Sequence, residues 1–119
     1  ISPWAEQAIW KSTEDNMYLI CTEEEVGDRS DIVVKAYVKD HDMWLPADLG
    51  CRSSAVRRGY LGLLEGDAHL EGDMRLKENT LTLSKIERYG YEFMGTCDKI
   101  VLEKYDYDSM IDKLPFALD

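Results

Sequence analysis

The sequence contains one short repeat whose carboxylates could bind a cation. Leu-Glu-Gly-Asp occupies residues 64–67 and recurs at residues 70–73. A calcium loop needs more oxygen ligands at EF-hand or nonapeptide spacing, whereas each copy here supplies one Glu and one Asp at a period of six. The surrounding residues favour a tight turn at Gly66 in the first copy and a bulge inside a strand at Gly72 in the second. We therefore predict no metal site and no cofactor at the repeat.

Nucleophilic catalysis would need a cysteine or serine beside a histidine. The residues that could be paired on paper are Cys51, Ser53, His41 and His69. No nucleophile elbow or cysteine-enzyme signature surrounds them, and in a chain of this composition such pairings arise by chance. The sequence also lacks a glycine-rich phosphate loop. We therefore predict that the protein is not an enzyme.

Three cysteines, Cys21, Cys51 and Cys97, are spread along the chain without a Cys-x-x-Cys motif. This spacing, with two histidines in the whole chain, does not predict a zinc site. The set fits one disulfide with one buried thiol, or three reduced thiols in a cytosolic protein. Cys21 ends an early strand and Cys97 opens a late one, so a curved sheet would bring them together. We predict a Cys21–Cys97 disulfide, with Cys51–Cys97 as the alternative.

The first residue, Ile1, is not methionine, which indicates either removal of a tag or cleavage of a targeting peptide. Together with the cysteines, this favours a secreted or periplasmic protein, with a cytoplasmic location as the alternative. No apolar run approaches the ~18 residues that a membrane-spanning helix requires. We therefore predict no membrane insertion.

Acidic residues dominate the charge of the chain. The 24 Asp and Glu residues, against 14 Lys and Arg, give a net charge of −10 and a pI near 4.6. Such a field repels nucleic acid phosphates and anionic membranes, and it attracts cationic partners and accelerates their encounter. We predict a basic protein partner and no nucleic acid. The alternative is that the acidity serves solubility alone.

Two acidic segments are candidate contact sites for such a partner. One holds consecutive carboxylates, and the other mixes carboxylates with tyrosines, which anchor an interface while the carboxylates steer the approach. An ordinary acidic surface would show the same composition. The predicted partner-binding residues are Glu23, Glu24, Glu25, Asp28, Tyr105, Asp106, Tyr107 and Asp108.

A basic island interrupts the acidic chain within residues 50–64, which contain no Asp or Glu. Its arginines are Arg52, Arg57 and Arg58. One interpretation is that they pair with nearby carboxylates elsewhere in the fold, and the other is that they contact an anion or a partner from a loop.

These observations favour a non-enzymatic acidic binding protein that neutralises a cationic protein partner, in the manner of inhibitors and immunity proteins that act on a toxin or a hydrolase. One alternative is a small-ligand carrier with an apolar pocket, and another is a structural or assembly subunit. The oligomeric state stays open. The candidate pocket residues of a carrier are Trp4, Trp10, Trp44, Tyr91 and Phe93.

The chain of 119 residues is predicted to form one domain, residues 1–119. Alternating β-branched and aromatic residues predict an early antiparallel hairpin followed by further short strands. Pro46 is expected to stop the third strand, and glycines make residues 50–64 an irregular loop or short helix that leads into a strand. The predicted strands are 16–22, 31–39, 43–45, 68–70, 74–76, 80–86, 91–94 and 95–103.

Short helices are predicted at both ends of the chain. Ser2 and Pro3 suit the start of an N-terminal helix over residues 2–11. Asp108 is expected to cap a C-terminal helix over residues 109–114, which Pro115 ends. The predicted fold is therefore α+β and β-dominant, a curved antiparallel sheet or small barrel of about six to eight short strands with short N- and C-terminal helices.

Overall fold

Eight antiparallel strands close into a barrel in the computed structural model; each strand pairs with the next along the chain, and β1 pairs with β8. The structure describes residues 6–52, 58–90 and 97–118, without the side chains of residues 51 and 52. The predicted β-dominant small barrel is confirmed. Its strands are β1 (Ala8–Ser12), β2 (Met17–Val26), β3 (Arg29–Asp40), β4 (Met43–Arg52), β5 (Arg58–Leu63), β6 (His69–Lys77), β7 (Thr80–Tyr89) and β8 (Lys99–Tyr105).

The first described element is a strand, so the helix predicted over residues 2–11 is wrong for its second half. Ile9 pairs with Ile20 of β2 on one side and with Tyr105 of β8 on the other. This strand joins the two ends of the sheet, and hydrogen bonds on both edges outweigh the local helix signals of the preceding residues. Residues 1–5 lie outside the described ranges.

All eight strands contribute side chains to one buried cluster inside the barrel. Trp10 is the largest of them, with 1% of its surface exposed. Burying a large apolar side chain contributes about 1.5–3 kcal/mol, so this interior is the main source of stability. The buried members are Trp10, Met17, Leu19, Cys21, Ala36, Val38, Ala47, Leu61, Leu63, Ala68, Leu70, Met74, Leu81, Leu83, Ile100 and Leu102.

A second apolar cluster lies on the outside of the barrel and anchors the C-terminal segment. A short helix, α1 (Tyr107–Met110), continues as a single 3₁₀ turn over residues 111–113. The ring of Phe116 packs at 4.3 Å from Tyr37 and 5.2 Å from Trp44, measured between ring centroids. This cover explains why residues 17–21 of β2 are buried on both faces. The predicted C-terminal helix is confirmed.

The cap of this helix is Asp106 rather than the predicted Asp108. A carboxylate oxygen of Asp106 accepts hydrogen bonds from the backbone N–H and the hydroxyl of Ser109, at 3.2 and 3.1 Å. The helix therefore begins two residues earlier than its sequence signals indicate, because β8 ends at Tyr105 and leaves Asp106 in extended geometry.

Pro46 does not stop the third strand, because β4 continues to Arg52. The carbonyl of Pro46 accepts a hydrogen bond from Leu64 N, at 3.2 Å, so its nitrogen also faces the β5 side. On the β5 side, the paired residues of β4 begin only at Ala47. The N–H that proline lacks would point to this side, so its absence removes no hydrogen bond to β3. Residues 50–64, which the sequence predicts to form a loop or short helix leading into a strand, contain in their described part the end of β4 and all of β5.

The repeated tetrapeptide forms the predicted turn and bulge. Gly66 has φ +91° in the loop between β5 and β6. On β6, Gly72 stands opposite two residues of β7, since Glu71 pairs with Glu87 and Asp73 with Ser84. The two residues of β7 at the bulge are Lys85, with φ +53°, and Ile86. The bulge turns Ile86, rather than Lys85, towards the core.

None of the helices in the described ranges is long and apolar enough to cross a lipid bilayer.

Candidate functional site

The β2–β3 hairpin extends beyond the walls of the barrel. β2 pairs with β1 only as far as Cys21, opposite Ala8, and β3 pairs with β4 only from Ala36 onwards. Within the described residues, 22–26 and 29–35 therefore pair only with each other. The hairpin turns at Gly27, whose φ is +68°. We refer to residues 22–35 as the acidic arm.

The first predicted set of carboxylates lies on this arm, and its members are exposed. Glu24 stands opposite Asp31 across the hairpin, and like charges at such positions repel each other. Asp31 has Arg29 as a counter-charge at 3.3 Å. The arm therefore presents carboxylates that no described cation neutralises: Glu23, Glu24, Glu25 and Asp28.

The second predicted set lies where β8 passes into α1, and its members have different roles. Tyr105 is 38% exposed on the outer surface and Asp108 is exposed. Asp106 accepts the capping hydrogen bonds from Ser109. Tyr107 packs against the outer apolar cluster. Tyr105 and Asp108 are thus the members most available to a partner.

The structure brings the two sets to the same end of the barrel. β2 and β8 flank β1 and are both antiparallel to it, so both end where β1 begins. Gln7 connects them, because its side-chain oxygen accepts a hydrogen bond from Glu23 N at 3.0 Å while the residue also lines a polar cleft with Tyr105 and Asp106. Glu6 pairs with Lys104 in the same cleft. We call this surface the acidic end: Glu6, Glu23, Glu24, Glu25, Asp28, Tyr105, Asp106 and Asp108.

The sequence did not predict a row of three stacked rings on the outer surface of β5, β6 and β7. The ring centroids of Tyr60 and His69 are 4.9 Å apart, and those of His69 and Tyr89 are 4.7 Å apart, with interplanar angles of 27° and 18°. His69 Nδ1 lies 3.0 Å from the carbonyl oxygen of Asp67, which assigns the proton to that nitrogen. The sequence signal for this aromatic row is one outward-facing ring in each of three strands. Recognising it requires the register between the strands, which only the fold supplies.

The one described guanidinium of the basic island lies among carboxylates, as the pairing interpretation predicts. Arg58 is 3.6 Å from both Glu71 and Asp73 and 3.7 Å from Glu87. Tyr89 donates its hydroxyl hydrogen to Glu87 at 2.8 Å, and this bond raises the pKa of Tyr89 above its ordinary value. The side chains of Arg52 and Arg57 lie outside the described residues.

The predicted disulfide between Cys21 and Cys97 is absent from the structure. β1 lies between β2, which carries Cys21, and β8, which begins two residues after Cys97, so barrel closure does not bring the two cysteines onto neighbouring strands. Cys97 instead accepts a hydrogen bond at its sulfur from Arg88, at 3.0 Å. The alternative Cys51–Cys97 bond involves a side chain outside the described residues and stays a prediction.

We expect Cys21 to resist alkylation in the folded protein and to react once urea unfolds it. Burial raises the pKa of the Cys21 thiol from 9.0 to about 12, and only the thiolate is nucleophilic. Peptide mapping after labelling with iodoacetamide, with and without urea, measures the modification at this residue. Rapid labelling of Cys21 in the native protein would contradict the buried position.

The same pKa shift has a consequence for stability at high pH. The folded state favours the neutral thiol, so this contribution is complete below the unfolded pKa of 9.0 and is lost as the pH rises towards about 12.

No described group of three or more His, Cys, Asp or Glu side chains could hold a metal ion. His41 lies beside Asp40, with 3.1 Å between Nδ1 and the carboxylate, and His69 is held within the aromatic row. Ser53 and the side chain of Cys51, candidate nucleophiles that the sequence pattern does not support, lie outside the described residues. The chain matches no known family, no curated protein and no solved structure.

Proposed function

We propose that this protein is a non-enzymatic binding protein that neutralises a basic protein partner, such as a toxin or a hydrolase, through the acidic end. The observation that carries the proposal is the convergence of the two acidic sets, far apart in sequence, on one end of the barrel. Carboxylates without a described counter-ion lie there on a projecting arm beside an exposed tyrosine.

The charge of the whole chain supports the same proposal. A net charge of −10 creates a long-range field that accelerates the encounter with a cationic protein, and this effect weakens as salt screens it. Once the partner is in contact, Tyr105 supplies apolar area and the arm supplies acceptors for lysine and arginine. The same field disfavours nucleic acid.

The packing of the barrel favours an external surface over an internal cavity as the binding site. An eight-stranded barrel is just wide enough to be filled by side chains or to hold one small ligand. Here Trp10 belongs to the interior cluster and Trp44 packs on the outer cluster. The other carrier candidates, Trp4, Tyr91 and Phe93, lie outside the described residues. No described contact favours the assembly-subunit alternative.

The proposal is tested with two variants of equal charge. E23Q/E24Q/E25Q/D28N removes four carboxylates from the acidic arm, and E14Q/D42N/E65Q/D67N removes four exposed carboxylates from turns at the opposite end of the barrel. The basic partner is first isolated from the native source on the immobilised protein at low salt, and its affinity for each variant is then measured by calorimetry.

We expect the arm variant to lose about tenfold or more in affinity, because each exposed ion pair contributes about 0.2–1 kcal/mol. The control variant should change mainly the association rate. Equal losses of affinity in both variants would show that net charge alone matters. This result would contradict the acidic end as the binding surface. Failure to retain any basic protein at low salt would contradict the function.

We place this function in a secreted or periplasmic protein, where disulfides persist. That location predicts a Cys51–Cys97 bond, which non-reducing peptide mapping of protein from the native source detects. Three reduced thiols would contradict the location.

A further inference from the structure

The aromatic row on β5, β6 and β7 is open at the end that faces β4. The ring of Tyr60 leans over Gly62, so that a Cβ on this glycine would lie 3.0 Å from Cε1 of the ring. Gly62 pairs with His69 on β6 and with Asp48 on β4. One face of the Tyr60 ring therefore covers His69, and the other is directed towards the surface of β4 at Asp48.

Beside that second ring face, the described surface of β4 holds the carboxylate of Asp48. The residue of β4 opposite Tyr60 is Gly50, and a Cβ built there would meet no atom of the described residues within 4 Å. Asp48 is exposed and has no ion pair among the described residues. Its neighbours Ala47 and Leu49 belong to the interior packing, which directs Asp48 outwards. A ring face and a carboxylate thus border the space above Gly50, which has no side chain to fill it.

A planar cation fits this space better than other groups. A guanidinium stacks on an aromatic face and donates paired hydrogen bonds to a carboxylate, whereas an ammonium group has no plane and a neutral amide has no charge. The position continues the aromatic row onto β4. Neighbouring strands lie about 4.8 Å apart, and β5, β6 and β7 each contribute one ring to the row.

The charge around the aromatic row also favours a cation. Arg58 is shared by Glu71, Asp73 and Glu87 at 3.6–3.7 Å. Lys85 adds a second cation, 3.8 Å from Asp73. All these separations exceed the roughly 2.7–2.9 Å of a tight charged hydrogen bond, so two cations only loosely compensate three carboxylates.

We propose that Tyr60 and Asp48 form a binding site for an arginine side chain of the basic partner. This inference rests on the proposed function and adds the chemistry of one contact. β4 lies next to β3, which carries half of the acidic arm, so one partner can reach both surfaces.

Blocked tripeptides test the site without the partner. The probes are Gly-Arg-Gly, Gly-Lys-Gly and Gly-citrulline-Gly, in which citrulline keeps the shape of arginine without its charge. In NMR titrations we expect the arginine peptide to shift the backbone amide signals of Gly50 and Gly62, the lysine peptide to shift them less, and the citrulline peptide to leave them in place. Equal shifts from all three peptides would overturn the proposal.

Variants at the two residues show whether the ring and the carboxylate are responsible. Y60A and D48N should each weaken binding of the arginine peptide about fivefold, and Y60F should preserve it because the ring remains. M43A, which removes an exposed apolar side chain at the start of β4, at the opposite end of the barrel from the acidic end, is the control and should leave the titration unchanged. An unchanged affinity in Y60A, with the fold intact by circular dichroism, would overturn the site.

The isolated partner separates this inference from the proposed function. If the arm variant loses affinity for the partner while Y60A and D48N retain it fully, the arginine site is wrong and the function stands. If Y60A and D48N also weaken the complex, the arginine site is supported. If no basic partner binds the unmodified protein, the proposed function fails, and the inference fails with it.

Discussion

Replacing Trp10 with alanine is expected to lower the free energy of unfolding by about 3–5 kcal/mol. Trp10 is 1% exposed, belongs to the interior cluster and lies on β1, the strand that pairs with both β2 and β8. The alanine variant leaves a cavity at the point where the barrel closes. The free energy of unfolding of a single domain is about 5–15 kcal/mol in total, so this loss is a large share of the stability. Urea unfolding followed by circular dichroism measures it.

Trp10→Phe is the matched control, and its expected cost is much smaller. The indole Nε1 of Trp10 is buried and has no hydrogen-bond partner among the described residues. A buried donor without a partner costs about 1–3 kcal/mol, so removing it offsets much of the packing lost with the smaller ring. A phenylalanine variant as unstable as the alanine variant would show that the indole N–H is satisfied in solution.

Gly72→Ala is expected to destabilise the barrel by about 2–3 kcal/mol, through overpacking at the bulge. A Cβ at this position would lie 2.7 Å from the backbone oxygen of Ser84 on β7. A backbone atom in a paired strand cannot move aside as a flexible side chain can. The variant must therefore shift β7 or lose its pairing with β6, and thermal unfolding at several urea concentrations reports the change.

Gly50→Ala is the control for Gly72→Ala, because a Cβ there meets none of the described atoms within 4 Å. Its unfolding free energy should stay within about 0.5 kcal/mol of the parent, as for ordinary surface substitutions. Equal effects at the two glycines would show that lost backbone freedom, and not the contact with Ser84, decides the outcome.

Local patterns in the sequence were sufficient for the fold class and for several elements. The alternation in residues 31–39 reflects a strand whose even-numbered side chains Ala36 and Val38 face the interior. Gly66 and Gly72 marked a turn and a bulge because few residues other than glycine tolerate a left-handed backbone or the close approach of another strand. The acidic charge follows from composition alone.

The tertiary structure decided the elements whose state depends on a partner strand. Residues 8–12 carry weak local signals and become a strand because β2 and β8 supply hydrogen bonds on both edges. Pro46 remains in β4 because its nitrogen faces the side where the β5 ladder has not yet begun. Neither fact is visible in a window of sequence, since the pairing residues are distant in the chain.

The candidate surfaces needed the register of the barrel as well. The sequence named Glu23 and Tyr105 as separate candidates, and only closure through β1 places their strands on either side of Gln7. Tyr60 and His69 join the aromatic row because β5 and β6 pair in a register that sets Gly62 opposite His69, which lets the tyrosine ring lie over the glycine. Residue types are local, whereas the distance between side chains on different strands is fixed by hydrogen-bonded register around a closed sheet.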